Sequence, residues 1–243
     1  MGNFASFAET YGPYLEEIRK RLYRLAIVFT GAFILGLFST NIFLPFFVHF
    51  LSIENVTIVA TSPFQLLELA MSAGFFSAIV ITIPFAFQQA YAFLRDGLLP
   101  RERRMIFLLI PLSLFLFFLG FSYGFAVMYY AIGFIANVNA GFGITNLWSV
   151  TQFLSQILIT SALLGCIFEF PVVLSALIRL RVCSVGFLRR NRRIAYAGIF
   201  IFVALLPPTD GLSFLVMSLP LILMYELTIL ANSFRGRKEL LET

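Results

Sequence analysis

Two carboxylates of this 243-residue chain stand inside long apolar runs: Glu169, in Gly165-Cys-Ile-Phe-Glu-Phe-Pro171, and Glu226, in Met224-Tyr-Glu226. An ionisable group in hydrocarbon is costly and marks function where it is kept. Glu169 admits two readings. It is either a neutral carboxyl hydrogen-bonded to a backbone carbonyl freed near Pro171, or a polar handle for another helix. Glu226 lies closer to a basic segment, where a long side chain reaches the interface at small cost. The other acids of interest sit among basic residues: Glu9, Glu16, Glu17, Asp96, Glu102, Glu239 and Glu242. Glu16 with Lys20 and Glu17 with Arg21 are i to i+4 pairs, each worth roughly a few tenths of a kcal/mol to a helix. Glu102 opens an apolar run, where the helix dipole favours a carboxylate. A carboxylate is also the natural bidentate partner of arginine, so the same residues suit a binding role. Catalytic machinery is missing: no Walker A, HExxH or GxSxG pattern, one His, and two cysteines (Cys166, Cys183) without CxxC spacing. No enzymatic activity, cofactor or metal is expected.

The elements that position these groups follow from composition. Hydrophobic residues make up 60% of the chain, charged residues only 12%, and Phe alone numbers 31; soluble domains are about a quarter charged. All 17 Lys and Arg fall in four clusters: Arg19 to Arg24, Arg95 to Arg104, Arg179 to Arg193 and Arg235 to Lys238. Between them lie stretches of 70, 74 and 41 residues without a single basic side chain. A membrane-crossing helix takes roughly 20 residues, so each stretch holds an outward and a returning span. The expected fold is all-α: one polytopic membrane domain over residues 1–243 with six transmembrane helices. Basic loops mark the cytoplasmic side, which puts both termini there (N-in/C-in). The net charge of +5 therefore reports orientation and the lipid surface rather than nucleic acid.

The expected layout is an amphipathic cytoplasmic helix over 1–21, with Tyr14, Leu15, Ile18 and Leu22 on one stripe, then spans at about 22–39, 70–93, 105–135, 151–178, 194–206 and 212–232, and a tail at 233–243. The first apolar run lacks a cleavage pattern and reads as a retained helix. Residues 41–69, with the Ser62-Pro63 break, read as a structured outer segment, and Trp148 as an interface anchor. Ile194 to Leu206 gives only 13 residues before Pro207-Pro208-Thr209-Asp210, about 20 Å of helix, so the fifth and sixth spans form a short hairpin that thins the bilayer. Pro84, Pro111, Pro171 and Pro220 stand within spans; either this is the ordinary tolerance of membrane helices for proline, or several bent helices together form a concave wall. Composition alone also permits a small-solute secondary transporter, although no repeat and no basic residue at membrane depth supports one.

Five motifs in order resemble the TatC family, the multi-span receptor subunit of the twin-arginine protein translocase. They are Leu15-Glu-Glu-Ile-Arg-Lys-Arg-Leu22; Ser62-Pro63-Phe64; Gln89-Ala-Tyr-Ala-Phe93 leading to Arg101-Glu-Arg-Arg104; Phe168-Glu-Phe-Pro171; and Pro207-Pro-Thr-Asp210 followed by Pro220 and Tyr225-Glu226. The resemblance runs from about Tyr14 to Ser233. It implies a multi-pass protein of a bacterial or archaeal-type cell membrane, working in an oligomeric complex with single-span partners of the TatA and TatB type. It implies recognition of twin-arginine signal peptides on the cytoplasmic face and export of folded proteins driven by the proton-motive force.

By the same resemblance, Glu17 and Glu102 hold the paired arginines, with Arg19, Phe93, Arg103 and Arg104 in that neighbourhood. Glu169 and Glu226 meet partner helices. The sequence departs from the family pattern at Tyr14, where a histidine is usual, at Asp96, where a proline is usual, and in the order of Pro207-Pro208-Thr209-Asp210. Glu17 and Glu102 stand in place, and Asp96 adds a third carboxylate beside them.

Overall fold

A computed structural model describes residues 2–50, 56–59, 62–95, 107, 109–180, 182–208 and 210–239. Helix α1 (Gly2–Phe50) leads to strand β1 (Val56–Val59) and helix α2 (Gln65–Arg95). Helix α3 (Leu109–Gly141), strand β2 (Asn146–Ser149) and helix α4 (Val150–Phe168) follow. Then come α5 (Phe170–Arg179), α6 (Val185–Arg190), α7 (Arg192–Ala204) and α8 (Gly211–Glu239). Among the described residues, five helical stretches are long and apolar enough to cross a membrane: Leu15–Ile42, Gln65–Ala92, Leu109–Gly141, Val150–Arg179 and Gly211–Phe234. The sixth expected span is α7, whose 13 residues reach about 20 Å.

Helix boundaries differ most from the sequence expectation at two places, while α3 also runs on to Gly141 and α8 to Glu239. The segment expected as a separate amphipathic helix and the first span are one continuous helix, which passes through Gly12-Pro13 and runs beyond Asn41, through Pro45, to Phe50; helices of membrane proteins tolerate an internal proline without ending there. The fourth span is divided, because α4 stops at Glu169 and α5 restarts with Pro171 in its first turn. Proline cannot donate to the preceding turn, so the backbone bends there.

Helix α3 packs along α4 over most of its length, and the central core of Phe117, Met128, Ile157, Leu164 and Met217 is closed to solvent. Small residues set this distance, since a Cβ added at Gly120 would lie 2.5 Å from the Phe168 ring and 2.8 Å from the Leu164 carbonyl oxygen. In a membrane, where helices gain little by leaving lipid, such close backbone approach supplies the packing energy. Helices α1 and α2 form a more exposed hairpin, held by Phe33 edge-on to Phe75 at 4.9 Å.

At the far end of these hairpins β1 and β2 pair in parallel, with Val56 opposite Asn146 and Val59 opposite Ser149. Side chains lock the pair down. Asn146 donates to the Ala136 carbonyl at 3.0 Å and accepts from Asn139 at 2.8 Å. Gln65 donates to the Ser149 hydroxyl at 2.6 Å, and Thr151 donates back to the Gln65 carbonyl at 3.2 Å. Residues 56–59 and 62–69 of the segment after the first span are thus structured, and Trp148 packs on Phe153 at 6.0 Å. Between α7 and α8, Asp210 caps α8 by accepting from the Ser213 amide at 2.8 Å, and Thr160 donates to the Pro207 carbonyl at 3.1 Å. The reordered Pro-Pro-Thr-Asp segment therefore keeps its aspartate as a helix cap.

Candidate functional site

Glu17 lies on the face of α1 that meets α2. Arg21, one turn along, donates from both Nε (3.0 Å) and Nη2 to Glu17 Oε1. The same guanidinium donates through Nη1 to the Gln89 carbonyl at 2.8 Å and to Gln89 Oε1 at 3.2 Å. Arg21 is thereby a clamp between α1 and the C-terminal part of α2, and it fixes the Glu17 carboxylate near Gln89. Glu17 keeps about a third of its side-chain surface open, at 36%, against 15% for Arg21. Both bonds fall on Oε1, and Oε2 takes none from a described residue. Glu16 pairs with Lys20 at 3.0 Å on the solvent side, so both i to i+4 pairs of the sequence are present.

The remaining residues of this expected cluster are distributed differently. Arg19 lies about 200° around the helix from Glu17, beside Lys20, Tyr23 and Arg24. Phe93 belongs to the last turns of α2, with its side chain outside the described residues. Glu102, Arg103 and Arg104, and Asp96 with them, also lie outside the described residues.

Glu169 stands at the break between α4 and α5 and is 1% exposed. Neither carboxyl oxygen has a hydrogen-bond partner among the described residues, so the carbonyl freed near Pro171 does not receive its proton. The Ser113 hydroxyl of α3 is the polar group beside it, close enough to interact with the carboxyl but outside hydrogen-bond geometry. Glu169 lines a groove of about 420 Å³ whose other walls include Phe87 of α2, Ala195 and Gly198 of α7, and Leu221 and Met224 of α8. A second groove of about 220 Å³ between α2, α3 and α5 shares Phe87 and Val173 with it and extends along Pro84, Tyr91 and Leu177. Both are almost wholly apolar. A buried polar group left without a partner costs about 1–3 kcal/mol, so Glu169 leaves a hydrogen-bonding demand open in an otherwise oily wall.

Glu226 is the opposite case. Arg192 donates to its Oε2 at 2.7 Å and the Tyr196 hydroxyl to its Oε1 at 2.5 Å, which ties α8 to α7. Nearby, the buried Tyr225 hydroxyl donates to the Leu188 carbonyl at 2.9 Å and its ring meets those of Phe170 and Tyr196. Sequence reasoning missed Arg192, Tyr196 and Gln89 as partners, since nothing in local spacing links residues 34, 30 or 68 positions apart.

Long apolar helices and largely apolar grooves between them define a polytopic membrane protein. The family model described as "Sec-independent protein translocase protein (TatC)" matches residues 13–220. The chain is 28% identical over 229 residues to the Sec-independent protein translocase protein TatCy of Bacillus subtilis (strain 168), covering 93% of this chain and 89% of that one. It is 29% identical over 240 residues to TatC of Carboxydothermus hydrogenoformans, covering 95% of each. A crystal structure of the twin-arginine translocase receptor TatC in DDM superposes with a TM-score of 0.78 at 25% identity, over 89% of this chain and 98% of that one. The chain belongs to the TatC family of Sec-independent protein translocase proteins. It is a component of the Tat protein-transport pathway, a membrane subunit of a translocase and not an enzyme.

Proposed function

We propose that this chain is the receptor core that reads twin-arginine signal peptides at the cytoplasmic membrane face. The observation that carries this reading is the Glu17 carboxylate, held in place by the Arg21 to Gln89 clamp with one oxygen unengaged by described residues. An incoming guanidinium meets a carboxylate whose side-chain freedom has already been spent, which favours binding. Glu17 from α1 and Glu102 from the loop after α2 each hold one arginine of the pair, because two guanidinium groups need two carboxylates. Phe93, Arg103 and Arg104 border that site, and Arg19 stands one helix face away. The apolar part of the signal lies along the groove of Pro84, Tyr91 and Leu177, which follows α2 away from its Gln89 end.

In this reading the chain has six spans with both termini cytoplasmic. The short α7 crosses a locally thinned bilayer of a plasma membrane. Glu169 receives a hydrogen bond from, or gives one to, a polar side chain of a TatA- or TatB-type single-span partner, with Glu226 at the cytoplasmic end of the same docking surface. The assembled complex moves folded proteins outward at the expense of the proton-motive force. Site-specific photo-crosslinking of a twin-arginine peptide to the protein in native membranes tests the receptor role: adducts at positions flanking Glu17 and Glu102 are expected, and their absence overturns it.

A further inference from the structure

We infer that the lipid-facing side of α1 carries a site for an anionic phospholipid bearing two phosphodiesters. Arg19, Lys20, Tyr23 and Arg24 surround one open concavity on this side of the helix. Its centre lies roughly 110° around the helix from the Glu17 and Arg21 face at 100° per residue, with Arg19 and Tyr23 farthest from that face and Arg24 nearest to it. Among the described residues these three cations have one paired acid, Glu16, 3.0 Å from Lys20, so two formal positive charges remain. No described residue bonds to Arg19 or Arg24, and Tyr23 is 69% exposed.

Directly below, at helical spacing, the same stripe turns apolar and stays open: Ile27 is 55% exposed, Ile34 45% and Phe38 79%, with nothing packed over Gly31. A charged turn followed by an uncovered apolar stripe is the shape of a headgroup above acyl chains. The two surplus charges match a headgroup with two phosphates rather than one. Guanidinium and ammonium groups at headgroup depth each add about 1 kcal/mol of attraction to an anionic surface, and the tyrosine hydroxyl supplies a donor at the same level.

The test is native mass spectrometry of the full chain taken from vesicles of phosphatidylethanolamine doped with either phosphatidylglycerol or diphosphatidylglycerol. The expected result is retained diphosphatidylglycerol on the unaltered protein, clearly preferred over the single-phosphate lipid; equal retention of the two overturns the two-phosphate assignment. The double substitution Lys20→Gln with Arg24→Gln should weaken retention about thirtyfold, while Lys20→Arg with Arg24→Lys keeps it. Unchanged retention in the glutamine variant overturns the site. Equal loss in Arg190→Gln with Arg193→Gln, on the other exposed basic segment, would do the same by making the effect one of bulk charge.

Discussion

Glu169 and Glu226 lie on neighbouring helices and face the same hairpin, yet their surroundings are opposite. Glu226 is satisfied twice from within the chain, by Arg192 and Tyr196, whereas Glu169 is buried with the Ser113 hydroxyl as its polar neighbour and no described group in hydrogen-bond geometry. A carboxylate already paired contributes to the stability of the isolated subunit and offers little to a newcomer. One left unpaired in an apolar wall does the reverse: it weakens the subunit alone and rewards a partner that brings a polar group. Glu17 lies between these cases, anchored by an arginine through one oxygen and met at the other by no described residue.

The largest effect that would break this ordering is at Glu17. Charge reversal, Glu17→Lys, sets a cation against Arg21 and against the signal arginines, and should lower twin-arginine peptide binding by about a hundredfold or more. Export should stop while the protein remains folded; intact export in cells carrying the variant would remove Glu17 from the site. Next in size is Glu169→Leu. Removing an orphaned carboxyl should raise the thermal stability of the purified subunit by about 1–3 kcal/mol, and co-purification of single-span partners should fall at the same time. A loss of stability would mean that Glu169 is bonded within the chain after all.

The smallest effect belongs to Glu226. Its pair with Arg192 is a third to nearly half exposed, so Glu226→Gln should cost under about 1 kcal/mol. Swapping the charges, Glu226→Arg with Arg192→Glu, should recover part of that loss in a double-mutant cycle. If Glu226→Gln abolished partner co-purification as fully as Glu169→Leu, the contrast between the two residues would be wrong.

What was legible in the sequence was whatever depends on near neighbours. The apolar stretches between basic clusters locate the long helices, Pro171 locates the break in the fourth span, and i to i+4 spacing finds the Glu17 to Arg21 pair. The extension of α1 to Phe50 escaped because bilayer thickness bounds a span but not a helix, and α1 continues through Pro45. The strand pair escaped for a different reason. Val56 to Val59 is too short to show a pattern, and its partner begins 90 positions later at Asn146, so only the assembled helices bring the two together. The same holds for Gln89 behind Arg21 and for Arg192 against Glu226. These long-range partners decide which carboxylate is satisfied, and so the candidate site was read by residue type but not by state.

The parallel β1 and β2 pair has a mechanical meaning. It joins the connection between α1 and α2 to the connection between α3 and α4, at the end of the molecule remote from Glu17. Two hairpins fastened at one end behave as the arms of tongs: they cannot part at the fastened end without tearing the ladder, whereas at the other end α2 and α3 are held by the chain between them and by the Tyr91 to Phe107 ring contact at 6.3 Å, which gives more readily than a ladder. Any widening that admits a peptide must then open from the Glu17 side, and the grooves along α2 and α5 lie where the arms diverge.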